Sequence, residues 1–346
     1  MSFVRAGVRG MAVLLLLASV QVVVAQSYKV ADSIPVGGKG HWDYLIVDPD
    51  NRRLYASHGG EVVVIDVDSE KIVGKIPADG FSHGITIAND LNLGFITDGD
   101  SKTSDVKSPE QIVTFDLKTL QRTATTKVGD DPDSIIYDAP SGRVFAFQGD
   151  PMQGNAIDAK TSKVDKVIAL GGNPEFAVSD GMGNVYVNLK NKSELAQIDS
   201  KTLSIKNHWP LAPCEGPSGL AMDVANRRLF SVCGNGKMVV MDADTGKIVA
   251  ALPIGALPDG AAYDPETKIA FASNRDGTLT VVQQVSKDEY KVAQNVKTEP
   301  GARTMALDTK THKVYLSSAE FGPKPAGSKY PSVVPDTFKI LVLQLQ

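Results

Sequence analysis

Cysteine is almost absent from this chain. Its 346 residues include two, Cys214 and Cys233, and neither belongs to a Cys-x-x-Cys pair or has a histidine at ligand spacing. That excludes the common zinc and redox motifs and a covalently attached haem. Past residue 25 there is no apolar run long enough to cross a bilayer, so no membrane-spanning helix is expected there. Basic charge is not in excess, with 36 Lys and Arg against 40 Asp and Glu. No basic stripe occurs, and a nucleic-acid partner is not expected. Aromatic residues make up only 6% and histidines number five, so each can be weighed singly, while a hydrophobic fraction of 42% is ordinary for a soluble domain.

What is present begins with a targeting pattern. Arg5 and Arg9 precede an apolar run from Met11 to Val24, ended by small residues at Ala25. The run is short for a span and fits a cleaved leader, giving a signal peptide over 1–25 and one domain over 26–346. No cysteine at the boundary suggests a lipid anchor. Without Arg5 and Arg9 the chain keeps 34 basic and 40 acidic residues, a net charge of about −6. The expected location is periplasmic or secreted, and the expected state is a monomer.

The rest of the chain repeats. One copy runs Gly216-Pro217-Ser218-Gly219-Leu220-Ala221-Met222-Asp223, Arg228-Leu229-Phe230-Ser231-Val232, Met238-Val239-Val240-Met241-Asp242 and Lys247-Ile248-Val249-Ala250-Ala251-Leu252. These are four short β-branched runs bounded by turn residues. Seven such copies, spaced by roughly 40–45 residues, predict an all-β, seven-bladed β-propeller of four-stranded blades. First strands end at Asp48, Ala88, Asp138, Asp180, Asp223, Asp264 and Asp308. Third strands end at Asp66, Asp116, Asp158, Asp199 and Asp242, most with Ser or Thr three residues on. Repetition in nearly every copy marks both series as turn-makers. The seventh copy stops one strand short, and residues 28–36 read as an isolated fourth strand that closes it. Cys214 and Cys233 both fall in blade five at one face, where a local disulfide is reasonable in an oxidising compartment; two buried free thiols are the alternative.

Second strands read Tyr55-Ala56-Ser57-His58, Phe95-Ile96-Thr97-Asp98, Tyr186-Val187-Asn188-Leu189, Phe271-Ala272-Ser273-Asn274 and Tyr315-Leu316-Ser317-Ser318. These resemble the Tyr-Val-Thr-Asn motif of the YVTN-type β-propeller repeat family, across essentially the whole chain after the leader. Blades three and five depart most. The resemblance implies a secreted, periplasmic or cell-surface propeller. Its relatives by fold include heavy subunits of quinoprotein amine dehydrogenases, haem-d1 nitrite reductase domains and lactonases. It implies the fold and leaves function open.

Function is sought where the repeat breaks. One position near the start of each innermost strand reads Asp43, His83, Asp133, Glu175, Ser218, Asp259 and Arg303, and these seven should ring the channel mouth. Crowded carboxylates need a cation, a proton or Arg303 to offset them. Asp43, His83, Asp133, Glu175 and Asp259 would suit a hard divalent ion, calcium or magnesium; a wet channel mouth that tolerates any polar residue is the plainer reading. A second ring is expected at the second-strand ends: His58, Asp98, Gln148, Asn188, Cys233, Asn274 and Ser318. His41 adds to blade one, whereas His208 and His312 read as structural. Long loops at 99–110 and 319–337 should flank blade one, with Trp42, Phe321 and Tyr330 as apolar walls. The favoured function is binding of a small molecule or a protein partner at this mouth. The alternatives are a metal-assisted, lactonase-like hydrolase and an accessory subunit of a periplasmic oxidoreductase. No catalytic residue is assigned.

Overall fold

In the computed structural model, which describes Met1 and residues 27–100, 108–325 and 331–346, seven four-stranded antiparallel sheets form a seven-bladed β-propeller. Six blades use four consecutive strands each. Blade one is typical: Trp42–Asp48 lies innermost, followed by Arg53–His58, Glu61–Asp66 and the outermost Lys71–Pro77. The two middle strands carry the unbroken apolar runs. Leu54, Tyr55, Ala56 and residues 62–65 are all fully buried, as strands covered on both faces must be. Outer strands such as Lys71–Pro77 bury one residue in seven and expose charge, which blunts a free sheet edge.

The core is divided into seven clusters, each between two neighbouring blades. Tyr55, Val62 and Val64 of blade one meet Ile96, Val113 and Phe115 of blade two in one of them. Closure follows the same logic. The N-terminal strand Tyr28–Pro35 pairs antiparallel with Lys339–Leu345 and is the outermost strand of blade seven. Tyr28 anchors it: the side chain is buried, its ring lies edge-on to Phe271 at 5.1 Å, and its hydroxyl donates to the His312 carbonyl at 3.0 Å.

The repeating aspartates make turns, as their spacing predicts. Asp66 accepts from the Ser69 amide and hydroxyl, both at 2.7 Å, and Asp116, Asp158 and Asp242 repeat the pattern with a threonine. The first-strand series does more than the turn reading expected, because it also latches each blade to the next. Asp48 accepts from Asn89, Asp138 from Ser179, Asp180 from Arg227 and Asp223 from Tyr263. Asp264 pairs with His312 at 2.7 Å, and Asp308 takes Arg52 of blade one at 2.9 Å. Blade two has Ala88 at this position, and Asp90 two residues later accepts from Tyr137 instead. His312 thus serves one of these latches, which join the blades on the face opposite the polar mouth. Cys214 and Cys233 form a disulfide with Cα atoms 5.4 Å apart, which settles the thiol alternative. Residues 2–25 of the expected leader lie outside the described residues, as do Tyr330 and most of the blade-two loop. Among the described residues, no helix is long and apolar enough to cross a membrane.

Candidate functional site

The residues that break the repeat sit where the strands themselves break register. In blades one to six the pairing of the innermost strand shifts within two or three residues of its start: between Trp42 and Leu45, Ser82 and Ile85, Pro132 and Ile135, Pro174 and Ala177, Pro217 and Leu220, and Pro258 and Gly260. Asp43, His83, Asp133, Glu175, Ser218 and Asp259 all fall inside these irregularities. A bulge leaves a residue out of the ladder and re-aims its side chain, here toward the channel. Hydroxyls of the second strand take up the freed amides: Ser57 accepts from Asp43 N, and Thr97 from Gly84 N. Arg303 of blade seven stands just ahead of its strand, Met305–Asp308.

Six of the seven ring residues line one cavity of about 480 Å³, together with His41, Trp42, Tyr44, Phe81, Asp131, Phe176, Lys190, Arg275 and Phe321. The ring is heavily paired. His83 Nδ1 is 2.8 Å from Asp43 Oδ2 and 3.9 Å from Asp133 Oδ1. Arg303 Nη1 reaches Asp259 at 3.2 Å and Asp43 at 3.6 Å, and Arg275 also reaches Asp259 at 3.6 Å. Lys190 Nζ pairs with Glu175 at 2.6 Å. Ser218 does not line the cavity. It is buried, and its hydroxyl joins Asp259 at 3.0 Å to Glu175 at 3.3 Å.

These pairings set the protonation states. Burial alone would raise Asp43, but the hydrogen bond from His83 and the charge of Arg303 hold it below the usual carboxylate range. Burial works against a charged His83, yet Asp43, then Asp133 and the Asp100 backbone push its pKa up to about 9. It is therefore an imidazolium at neutral pH. Asp133 is pushed up to about 8 by burial and by the charges of Asp43 and Glu175. Burial raises Glu175 too, and Lys190 partly offsets this. Burial and Arg303 hold His41 down, so that ring is neutral.

Two features were not expected from the repeat. Tyr44 of blade one and Phe176 of blade four meet across the channel axis, ring centroids 4.5 Å apart, and floor the cavity. The signal was in the sequence: the position after the ring residue reads Tyr44, Gly84, Ser134, Phe176, Gly219, Gly260 and Thr304. Lys190 and Arg275 are the second omission. They occupy the position just after the second strand, where the other blades have Gly59, Gly149, Gly234 and Ala319 and blade two has Gly99 as the strand's last residue. Their charges supply part of the compensation that a metal was expected to provide.

The second ring is not part of the cavity wall. His58 is buried flat on Phe338, at 4.2 Å. Asp98 is consumed by the Asp79 and Gly80 amides and by Gln111, and Gln148 by Asp130 and Gln153. Asn274 holds Thr278, Ser318 bonds Glu299, and Cys233 is in the disulfide. Asn188 is one residue out of register: Leu189 pairs with Pro174, as Gln148 does with Pro132, and Asn188 turns inward to the Ser218 carbonyl. Strand ends buried this deeply must satisfy their polar groups locally. From the blade-seven loop, Phe321 and Pro331 reach the cavity, and Phe321 lies 5.8 Å from Trp42.

Of the five residues expected to suit a metal, three converge. Donor atoms of Asp43, His83 and Asp133 lie within 4.8 Å of one another. Glu175 and Asp259 are instead tied to Lys190, Arg275 and Arg303. The trio fits a divalent ion in donor type, but His83 would have to give up its proton and its bond to Asp43.

No protein-family model matches the chain, and no curated protein matches it. Solved structures do. The chain is similar to Kuenenia stuttgartiensis hydrazine synthase, with TM-score 0.66, 16% identity, and coverage of 87% of this chain and 96% of that one. It is similar to the U3-55K structure, with TM-score 0.73, 9% identity and coverage of 91% and 99%. The WD40 repeats of RRP9 give TM-score 0.74, 9% identity and coverage of 92% and 100%. At these identities the likeness is one of fold: a single propeller spanning each chain.

Proposed function

We propose that this chain is a binding protein, a periplasmic or secreted propeller of the YVTN type that holds a small molecule in the floored mouth of its channel. One observation carries the reading. The mouth is a cavity of about 480 Å³ with five aromatic side chains and a paired set of charges in its wall. Concave sites of this size with apolar walls and a few fixed polar groups are what small ligands need, whereas a flat rim would suit a protein partner better. The compartment rests on the leader pattern at 1–25 and is supported by the disulfide. A screen of small molecules by thermal shift tests the site. Hits should stabilise the wild type and lose their effect in Phe176→Ala. Hits indifferent to both Phe176→Ala and Phe321→Ala would place binding elsewhere.

The metal-assisted hydrolase keeps one supporting observation, the convergence of Asp43, His83 and Asp133. Against it stands the charge state of His83, which must first give up its proton and its bond to Asp43 before it can hold an ion or act as a base. Elemental analysis of the purified protein decides this reading. Stoichiometric calcium, magnesium or zinc that is lost in Asp43→Asn and His83→Ala would promote it over plain binding.

A further inference from the structure

We infer that the ligand of this cavity is a small organic cation, an ammonium group on a flat apolar body, with its N–H donors on Asp133 and its body against Tyr44 and Phe176. This rests on the cavity being a small-molecule site. Charge bookkeeping is the first support. The lining holds five carboxylates, Asp43, Asp131, Asp133, Glu175 and Asp259, and four cationic groups, His83, Lys190, Arg275 and Arg303. His83 takes Asp43, Lys190 takes Glu175, and the two arginines share Asp259. Asp131 receives the Asp150 amide at 3.2 Å.

Asp133 is left over. Its Oδ1 is buried and accepts no hydrogen bond, and the imidazolium 3.9 Å away is already spent on Asp43. A buried carboxylate oxygen without a donor is costly, and a ligand that brings both a positive charge and an N–H removes that cost. An anion finds the opposite situation, since Arg303, Arg275 and Lys190 would have to be drawn off carboxylates they now hold.

The walls are the second, independent support. Trp42, Tyr44, Phe81, Phe176 and Phe321 make up five of the cavity's 18 lining residues, in a chain that is 6% aromatic. Aromatic faces beside an acid attract an ammonium or a flat apolar body and offer an anion nothing.

Three probes of one shape separate the possibilities: benzylammonium chloride, benzyl alcohol and sodium benzoate, each titrated calorimetrically into the purified protein at pH 8.5, where Asp133, with its pKa at about 8, is mostly ionised. Benzylammonium should bind at least about tenfold more tightly than benzyl alcohol, and benzoate weakest, the gain expected of one charge-assisted hydrogen bond. Asp133→Asn should erase the preference for the amine and leave benzyl alcohol unchanged, while Asp133→Glu should restore part of it. Thermal melts of both variants establish that they fold. Equal binding of amine and alcohol, or amine binding unchanged in Asp133→Asn, would overturn the inference. Tight benzoate binding that Phe176→Ala abolishes would overturn it too, yet keep the cavity as a small-molecule site. If none of the three binds, the cation assignment falls, and the ligand screen with Phe176→Ala decides the cavity separately.

Discussion

Replacing Tyr28 by alanine tests whether the N-terminal strand closes the ring. Tyr28 keeps 2% of its surface exposed and packs with Phe271, Leu341 and Leu343 between blades six and seven. Emptying such an aromatic site costs about 3–5 kcal/mol through lost transfer energy and the cavity left behind. The hydroxyl's bond to the His312 carbonyl, 3.0 Å long, adds about 1 kcal/mol. For a domain of this size, an unfolding entropy near 2.1 cal/mol/K per residue converts a loss of about 4 kcal/mol into about 6 °C of melting temperature. Calorimetry on the wild type, Tyr28→Ala and a control, Val30→Ala, is the assay. Val30 lies on the same strand but is 38% exposed, so its change should stay within about 0.5 kcal/mol. If Tyr28→Ala melts within a degree of the wild type, the strand is not docked as described. Deleting residues 27–35 should go further and expose the edge of Lys339–Leu345 to pairing between molecules.

Asp133→Asn should be more stable than the wild type at pH 8.5 and match it near pH 4. The folded pKa of Asp133 lies above its unfolded value, at about 8, so its contribution is present in acid and is lost as pH rises from about 4 through 8; melts across that range give the answer. Arg227→Met removes the cation from the fully buried carboxylate of Asp180, which keeps its bonds from Met182 and Asn184, and should cost about 2 kcal/mol in urea unfolding. Adding Asp180→Asn should recover part of that loss, and an equal loss in single and double variants would deny the latch. Reducing the disulfide, or replacing Cys214 and Cys233 by serine, should lower stability by about 3 kcal/mol for a loop of this length. A reductant that shifts the wild-type melt but not the serine variant would confirm the source.

The architecture was legible because it is written in local terms. A strand announces itself by β-branched alternation, a turn by Asp with Ser or Thr, and a blade by the distance between copies. The ring residues were legible for the same reason, since six stand at a fixed offset from a repeating aspartate and His83 at the same offset from Ala88. Asn188 shows the limit. Tyr186-Val187-Asn188-Leu189 resembles the Tyr-Val-Thr-Asn pattern only loosely, with asparagine in third place, and pairing with Pro174 puts Leu189 at the mouth and Asn188 inward. One residue of slip changes the face, and motif matching does not see which residue the neighbouring strand holds.

By itself, then, the sequence determined the number of blades, the closing strand, the scaffold role of the repeating aspartates and the identity of the ring at the bulges. Tertiary structure alone decided what those residues are to one another. Tyr44 and Phe176 are 132 positions apart and touch only because the ring closes. Asp43 and Arg303 meet for the same reason, and Lys190 reaches Glu175 because a strand reversal returns it to the mouth. Charge state depends on distance and burial, which no local pattern carries. A crowd of acids that read as a site wanting a metal is, once folded, a paired network with one carboxylate, Asp133, left to answer.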